Sequence, residues 1–260
     1  MLPLLLAPLL FLSSADASAP ANSVYDIQPW VDGPLLAGTA VSWIVLAAAG
    51  PSLVEPRCPC SSSEVPGIDR IALGKRSHPA DVASTVTLGV ALAAPVVVDW
   101  VDVGFSPALA EDMTIYGEVL TLSGTVTELA KWVVQRPRPY VYGSTSPSVL
   151  EAKGSYSSFF SGHVSASVGA LTALSMTQTL RHGSSAWWLW MVTALVGTSV
   201  AIERVAAGQH FPTDVVTAGL VGAATGFLVP WLHARGGPGR PSVTVAPLSG
   251  GALLVLRGDW

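Results

Sequence analysis

The sequence predicts an all-α fold, a six-helix membrane-associated bundle, followed by a short C-terminal β-hairpin-like tail. Three observations predict it. Half of the 260 residues are hydrophobic and 12% are charged, with a mean hydropathy of +0.51, which is too apolar for an ordinary soluble domain. Six stretches are long enough to span or nearly span a bilayer, for which about 20 residues are needed. Only residues 236–260 change character and begin to alternate. The length fits one helical unit rather than two domains. The net charge of −4 leaves no basic excess, which argues against nucleic acid as a partner.

Residues 1–19 read as a signal peptide or N-terminal anchor. An apolar run from Leu2 to Leu12 leads into Ala15-Asp16-Ala17, although no Lys or Arg precedes it. Residues 20–235 form the helical domain. Its first helix is expected over Leu35–Val54. The polar loop Glu55–Ala80 carries both cysteines, Cys58 and Cys60. A bridge across one intervening residue is expected to be strained, and two cysteines do not make a four-ligand zinc site, so free or loosely paired thiols are expected. The second helix covers Asp81–Val101, with a kink expected at Pro95. The third covers Leu109–Val134 and is interrupted by Glu111, Asp112, Glu118 and Glu128. A long Tyr-, Ser-, Gly- and Pro-rich loop runs from Arg136 to Ser161. The fourth helix, His163–Leu180, and the sixth, Thr213–His233, are rich in small residues that permit close packing in lipid. The fifth, Ala186–Ile202, opens on Trp187, Trp188 and Trp190, which mark a membrane boundary. In the tail, PSVTVAPLSGGALLVLRGDW alternates around a Ser-Gly-Gly turn, the pattern of a hairpin.

Against this apolar background the charges stand out, and ionisable groups near a membrane are costly enough to be functional suspects. They fall in three blocks: Lys131–Pro139, Ser158–His163 and Glu203–Asp214. The first ends the third helix, the second opens the fourth, and the third lies between the fifth and sixth. Two successive antiparallel pairs therefore bring all three blocks to one end of the bundle. Lys131, Arg138, Arg204, His163, His210, Asp214 and the Ser161-Gly162 turn are what a site needs to hold a phosphate and transfer it. With three cations present, no metal and no cofactor is required.

In order and in register, these blocks resemble the signature of the type 2 phosphatidic acid phosphatase (PAP2) superfamily, which includes bacterial acid phosphatases and vanadium haloperoxidases. Lys131 is followed after six residues by Arg138-Pro139; Ser161-Gly162-His163 follows; Arg204, five residues, His210, three residues and Asp214 complete it. The resemblance covers about Asp81 to His233 and implies a PAP2-type bundle. His210 is then the nucleophile, forming a phosphohistidine. Asp214 orients its ring, as the acid does in a triad; standing alone it would be a helix N-terminal acid. His163 is the general acid. Lys131, Arg138 and Arg204 clamp the phosphoryl oxygens, with Ser161 and Gly162 at a helix N-terminus. Two positions depart from the pattern: Phe160 stands in place of Pro, and Glu203 in place of Ser, where it is free to pair with Arg204 or a substrate ammonium. Both bear on substrate range and rate rather than reaction type. Arg136, one step off the signature, reads as a supporting or headgroup contact. His78, His182 and His233 read as ordinary surface or interface residues.

The resemblance implies a metal-independent phosphatase acting on a lipid phosphomonoester or diphosphate, of the phosphatidic acid or polyprenyl diphosphate type. The expected partners are that phosphorylated lipid and a membrane; the expected place is a bacterial-type cell envelope, with the site facing the periplasm. Counting six crossings from a cleaved N-terminus would put the site on the other face; the export features and the cysteine loop favour the periplasm. The competing functions are a periplasmic acid phosphatase for small phosphomonoesters, a vanadate-dependent haloperoxidase, which length and hydrophobicity oppose, and a catalytically degenerate phospholipid-binding protein. The sequence does not set the oligomeric state.

Overall fold

The computed structural model describes residues 22–236, 242–248 and 251–257; the signal peptide or anchor expected over 1–19 lies outside them. The helices are α1 (Pro29–Leu53), α2 (His78–Val103), α3 (Pro107–Val134), α4 (Pro147–Leu150), α5 (Gly162–His182), α6 (Trp187–Ala206) and α7 (Pro212–His233). The described residues thus hold seven helices rather than the expected six. The additional one, α4, is a single turn opened by a proline, too short to leave a periodic signal. The long helices start where the local chemistry allows. Ser77 and Ser106 cap α2 and α3 by accepting backbone N–H bonds from Ala80 and Leu109, and a proline follows each cap. α1 begins six residues before its expected start because Pro29 can serve as a first helical residue, its missing N–H being unneeded there. α2 continues through Pro95.

α5 is the axis of the bundle, packed against α7, α6, α2 and α3, while α1 lies along α3. Small residues set the central seam. A Cβ built on Gly222 would strike the Ser165 carbonyl oxygen, and one on Gly226 the Gly169 carbonyl oxygen, so α5 and α7 meet backbone to backbone, as small residues permit in lipid. The outer faces are apolar: Val86, Val90, Leu195, Val216 and Leu220 are all exposed. Among the described residues, four segments are long and apolar enough to cross a membrane: Pro29–Gly50, His78–Val103, Gly162–Ala206, which contains both α5 and α6, and Pro212–His233. α3 is not among them, being broken by its acids.

One further expectation is corrected. Cys58 and Cys60 form a disulfide; their Cα atoms lie 4.5 Å apart, inside the usual span of about 4.4–6.8 Å, because the chain bends at Pro59. His182 is exposed, as expected of a surface residue, with its Nε2 2.9 Å from Asp102. In the tail, β1 (Ser242–Leu248) and β2 (Gly251–Arg257) lie as an antiparallel pair. They pair with each other and form no substantial contact with any helix, so a β-hairpin-like tail is not part of the supported fold.

The seam gives a test. Gly226→Leu forces the Gly169 carbonyl away and is expected to destabilise by about 1–3 kcal/mol, read as a lower Tm in detergent. Gly219→Ala, whose Cβ would have nothing within 4 Å, is expected to be neutral or slightly stabilising.

Candidate active site

The end of α3, the start of α5 and the turn between α6 and α7 converge at one end of the bundle. The turn passes through Gly208 at φ +69, where a Cβ would strike the Lys75 carbonyl oxygen; only glycine fits both constraints. Two residues on, His210 is buried, 2% exposed. Its Nδ1 lies 2.6 Å from the Ser158 carbonyl oxygen. A carbonyl only accepts, so Nδ1 carries the proton and Nε2 presents its lone pair.

Asp214 does not hold this ring directly, contrary to the expectation. Its Oδ2 is 3.9 Å from Nδ1, beyond hydrogen-bond range. The carboxylate is committed elsewhere: Oδ2 accepts from Ser158 Oγ at 2.6 Å and from the Phe211 N–H at 2.9 Å. Oδ1 accepts from Arg136 Nη1 at 2.5 Å. Asp214 therefore fixes the residue whose carbonyl orients His210.

Arg136 stands behind this arrangement. Its Nη2 donates to Asp69 Oδ2 at 2.7 Å, and its guanidinium lies 4.0 Å over the Phe211 ring. Asp69 also accepts from the Thr213 N–H at 3.0 Å and its hydroxyl at 2.7 Å. Burial works against the Arg136 cation, yet hydrogen bonds and charge from Asp69 and Asp214 raise its pKa above the ordinary value. Burial likewise opposes the Asp69 carboxylate, but bonds from Arg136 and Thr213 hold its pKa below the usual range. Sequence reasoning missed Asp69, which sits in the short 3₁₀ turn Gly67–Ala72, outside any periodic segment.

The fields of the three expected cations all reach His210. Lys131 Nζ donates to Glu128 at 2.7 Å and lies 3.6 Å from where a Gly162 Cβ would be. Arg138 donates to the Gly154 carbonyl at 3.0 Å and to the Gln209 side chain. Arg204 Nη1 donates to Asp81 at 2.5 Å and Ser84 Oγ at 3.1 Å. Arg204 Nε and Ser161 Oγ are buried without a hydrogen-bond partner among the described residues, two donors free to meet an anion at the start of α5. Burial first, then the fields of Arg138 and Arg204, pushes the His210 pKa well below its ordinary value; the ring is neutral at pH 7. His163 Nε2 is 3.5 Å from Thr85 Oγ1.

The two departures from the motif pattern have clear places. Glu203 accepts from Ser199 Oγ at 3.1 Å rather than pairing with Arg204, because it faces away along α6. Phe160 is buried in the core cluster that contains Val164, Phe211 and Val215. Beside the site, a groove of ≈ 750 Å³ runs between α5, α6 and α7. It begins at Val164 and Val215, the chain neighbours of His163 and Asp214, and reaches Trp190 and Phe227.

Residues 112–237 match the model of the PAP2 superfamily. An undecaprenyl-diphosphatase of Sulfolobus acidocaldarius is 31% identical over 111 residues, 42% of this chain; the chain spans about half (49%) of that relative's length. Among solved structures, Aquifex aeolicus LpxE aligns at TM-score 0.45 and 19% identity, covering 65% of this chain and 98% of its own. A transmembrane PAP2 type phosphatidylglycerolphosphate phosphatase from Bacillus subtilis aligns at TM-score 0.44 and 19% identity, covering 75% and 94%.

The burial of His210 fixes a pH dependence. Its folded pKa lies below the unfolded value of about 6.5, so below that pH the unfolded chain takes up a proton that the native one refuses. Stability is complete above about pH 6.5 and falls as pH drops. Between about pH 7 and 5 the Tm of the wild-type protein in detergent is expected to fall relative to that of His210→Gln. Asp69, with a depressed pKa, contributes stability above its unfolded value, about 3.9, and leaves this window unaffected.

Proposed function

We propose that this chain, whose residues 112–237 belong to the PAP2 superfamily, is a membrane phosphatase for a lipid phosphomonoester or diphosphate, working through a phosphohistidine. One observation carries the reading: a buried, neutral His210, its Nδ1 committed to the Ser158 carbonyl, lies in the fields of Arg138, Arg204 and Lys131. The phosphate binds Lys131, Arg138, Arg204, Ser161 and the N–H groups opening α5. The Nε2 lone pair attacks phosphorus, the bond to the leaving oxygen breaks, and His163 gives that oxygen a proton. Water then attacks the phosphohistidine, His163 takes up its proton, the P–N bond breaks, and phosphate leaves. The cations offset the charge that develops in both transfers. No metal takes part.

The groove supports a lipid over a small soluble ester, since its apolar walls run along α5, α6 and α7 from Val164 and Val215, the chain neighbours of His163 and Asp214. The undecaprenyl-diphosphatase relative supports the polyprenyl diphosphate end of the range. A periplasmic-type location is supported by the Cys58–Cys60 disulfide, since such bonds persist in oxidising compartments. Its loop sits at the catalytic end, the Cys58 N–H donating to Tyr156 Oη at 3.3 Å.

Purified protein in detergent with EDTA is expected to release phosphate from phosphatidic acid or a polyprenyl diphosphate in preference to p-nitrophenyl phosphate. His210→Ala is expected to lower the rate by on the order of 10³-fold or more. Release that persists in this variant, or that needs added metal, would refute the mechanism. Thr198→Trp, which fills the groove from an exposed position, is expected to raise the lipid KM about tenfold, equivalent to ~1.4 kcal/mol, while leaving p-nitrophenyl phosphate turnover unchanged. An equal loss on both substrates would remove the groove from the lipid-binding reading.

A further inference from the structure

Far from the phosphate site, three potential ligands converge from separate helices. Asp32 lies in the first turn of α1, Glu118 in α3, and His233 ends α7. One donor atom from each lies within 4.8 Å of the others. His233 Nδ1 is 2.7 Å from the Val229 carbonyl oxygen, so it carries the ring proton, and a neutral ring turns the Nε2 lone pair towards the two acids. Nε2 stands 3.3 Å from Asp32 Oδ1 and 3.6 Å from Glu118 Oε2. Charge-assisted hydrogen bonds are shorter, about 2.7–2.9 Å. By contrast, a tetrahedron with metal–ligand bonds of about 2.0–2.2 Å has edges of about 3.3–3.6 Å.

A second observation points into the same space. Glu118 is 2% exposed, and both its carboxylate oxygens are buried without a hydrogen bond among the described residues. No Lys or Arg pairs with Asp32 or Glu118 among those residues; the group that faces both is the His233 ring. Two buried carboxylates with a neutral imidazole sum to −2, the charge that one divalent cation cancels. An isolated buried carboxylate is otherwise strongly disfavoured.

We propose that Asp32, Glu118 and His233 bind a divalent first-row metal ion, with Zn²⁺ the best match. An imidazole nitrogen with two carboxylates suits that class better than the all-oxygen shells of Ca²⁺ or Mg²⁺. The ion joins α1, α3 and α7 at the end of the bundle opposite the reaction. The 22 residues of α7 put His233 roughly 30 Å along the helix from the phosphate site at 1.5 Å per residue. The site is therefore structural and separate from phosphoryl transfer.

The test uses full-length detergent-purified protein, stripped with EDTA and dialysed. Zn²⁺ added alone is expected to be retained at one ion per chain and to raise Tm in a concentration-dependent way. Glu118→Gln and His233→Gln are each expected to abolish retention and the Tm rise. Co²⁺ added to the wild-type protein is expected to give a visible absorption band, and X-ray absorption at the bound metal to show one imidazole with oxygen ligands. That readout holds even if a variant fails to fold. Folded wild-type protein that retains no Zn²⁺ and gives no Co²⁺ band would overturn the proposal, as would full retention in both variants.

Discussion

The placement of Arg136 between Asp69 and Asp214 is the constraint on which the site depends. Neither acid is exposed, so each requires its cation, and removing one member leaves an uncompensated charge in the interior. The consequence reaches the chemistry through geometry. Asp214 is held by Arg136, Ser158 by Asp214, and the His210 ring by the Ser158 carbonyl. A backbone acceptor sets the tautomer here, with the carboxylate one step removed. Because the chain passes through residues on three separate segments, it also ties the Gly67–Ala72 turn and the 136–161 loop to the start of α7.

The remaining architecture keeps this arrangement in a dry, apolar setting. The glycine seam brings α5 and α7 close enough for the start of α5 to face the turn before α7. The same two helices, with α6, line the groove over the same stretch of the bundle. One pair of helices thus sets both the tight contact near the phosphate site and the apolar channel beside it. Low dielectric strengthens every charge interaction inside, which is why the His210 pKa responds to three cations at once.

Much of this was legible in the chain. Lys131, Arg138, Ser161, Arg204 and His210 could be placed together because helix periods fix which ends of the bundle they share. What was not legible depended on contacts between distant segments. Asp69 lies in an irregular turn, and nothing local distinguishes it from a surface acid. Asp214 stands four residues after His210, which suggests a direct contact. Pro212 begins the helix between them, however, and the Phe211 N–H captures the carboxylate. His233 reads as an ordinary residue because its partners come from α1 and α3. The disulfide was not legible because spacing alone carries no sign of the bend at Pro59.

The acids beside the cations carry a final consequence. Glu128 already occupies Lys131, and Asp81 already occupies Arg204. On the phosphatase reading, an arriving phosphate must displace two tethered rivals, and a departing one is replaced by them at once. Two of the three cations are then screened by acids before any phosphate arrives. Occupancy of the site becomes an exchange between anions, which weakens ground-state capture of substrate and product alike and favours rapid turnover over tight holding.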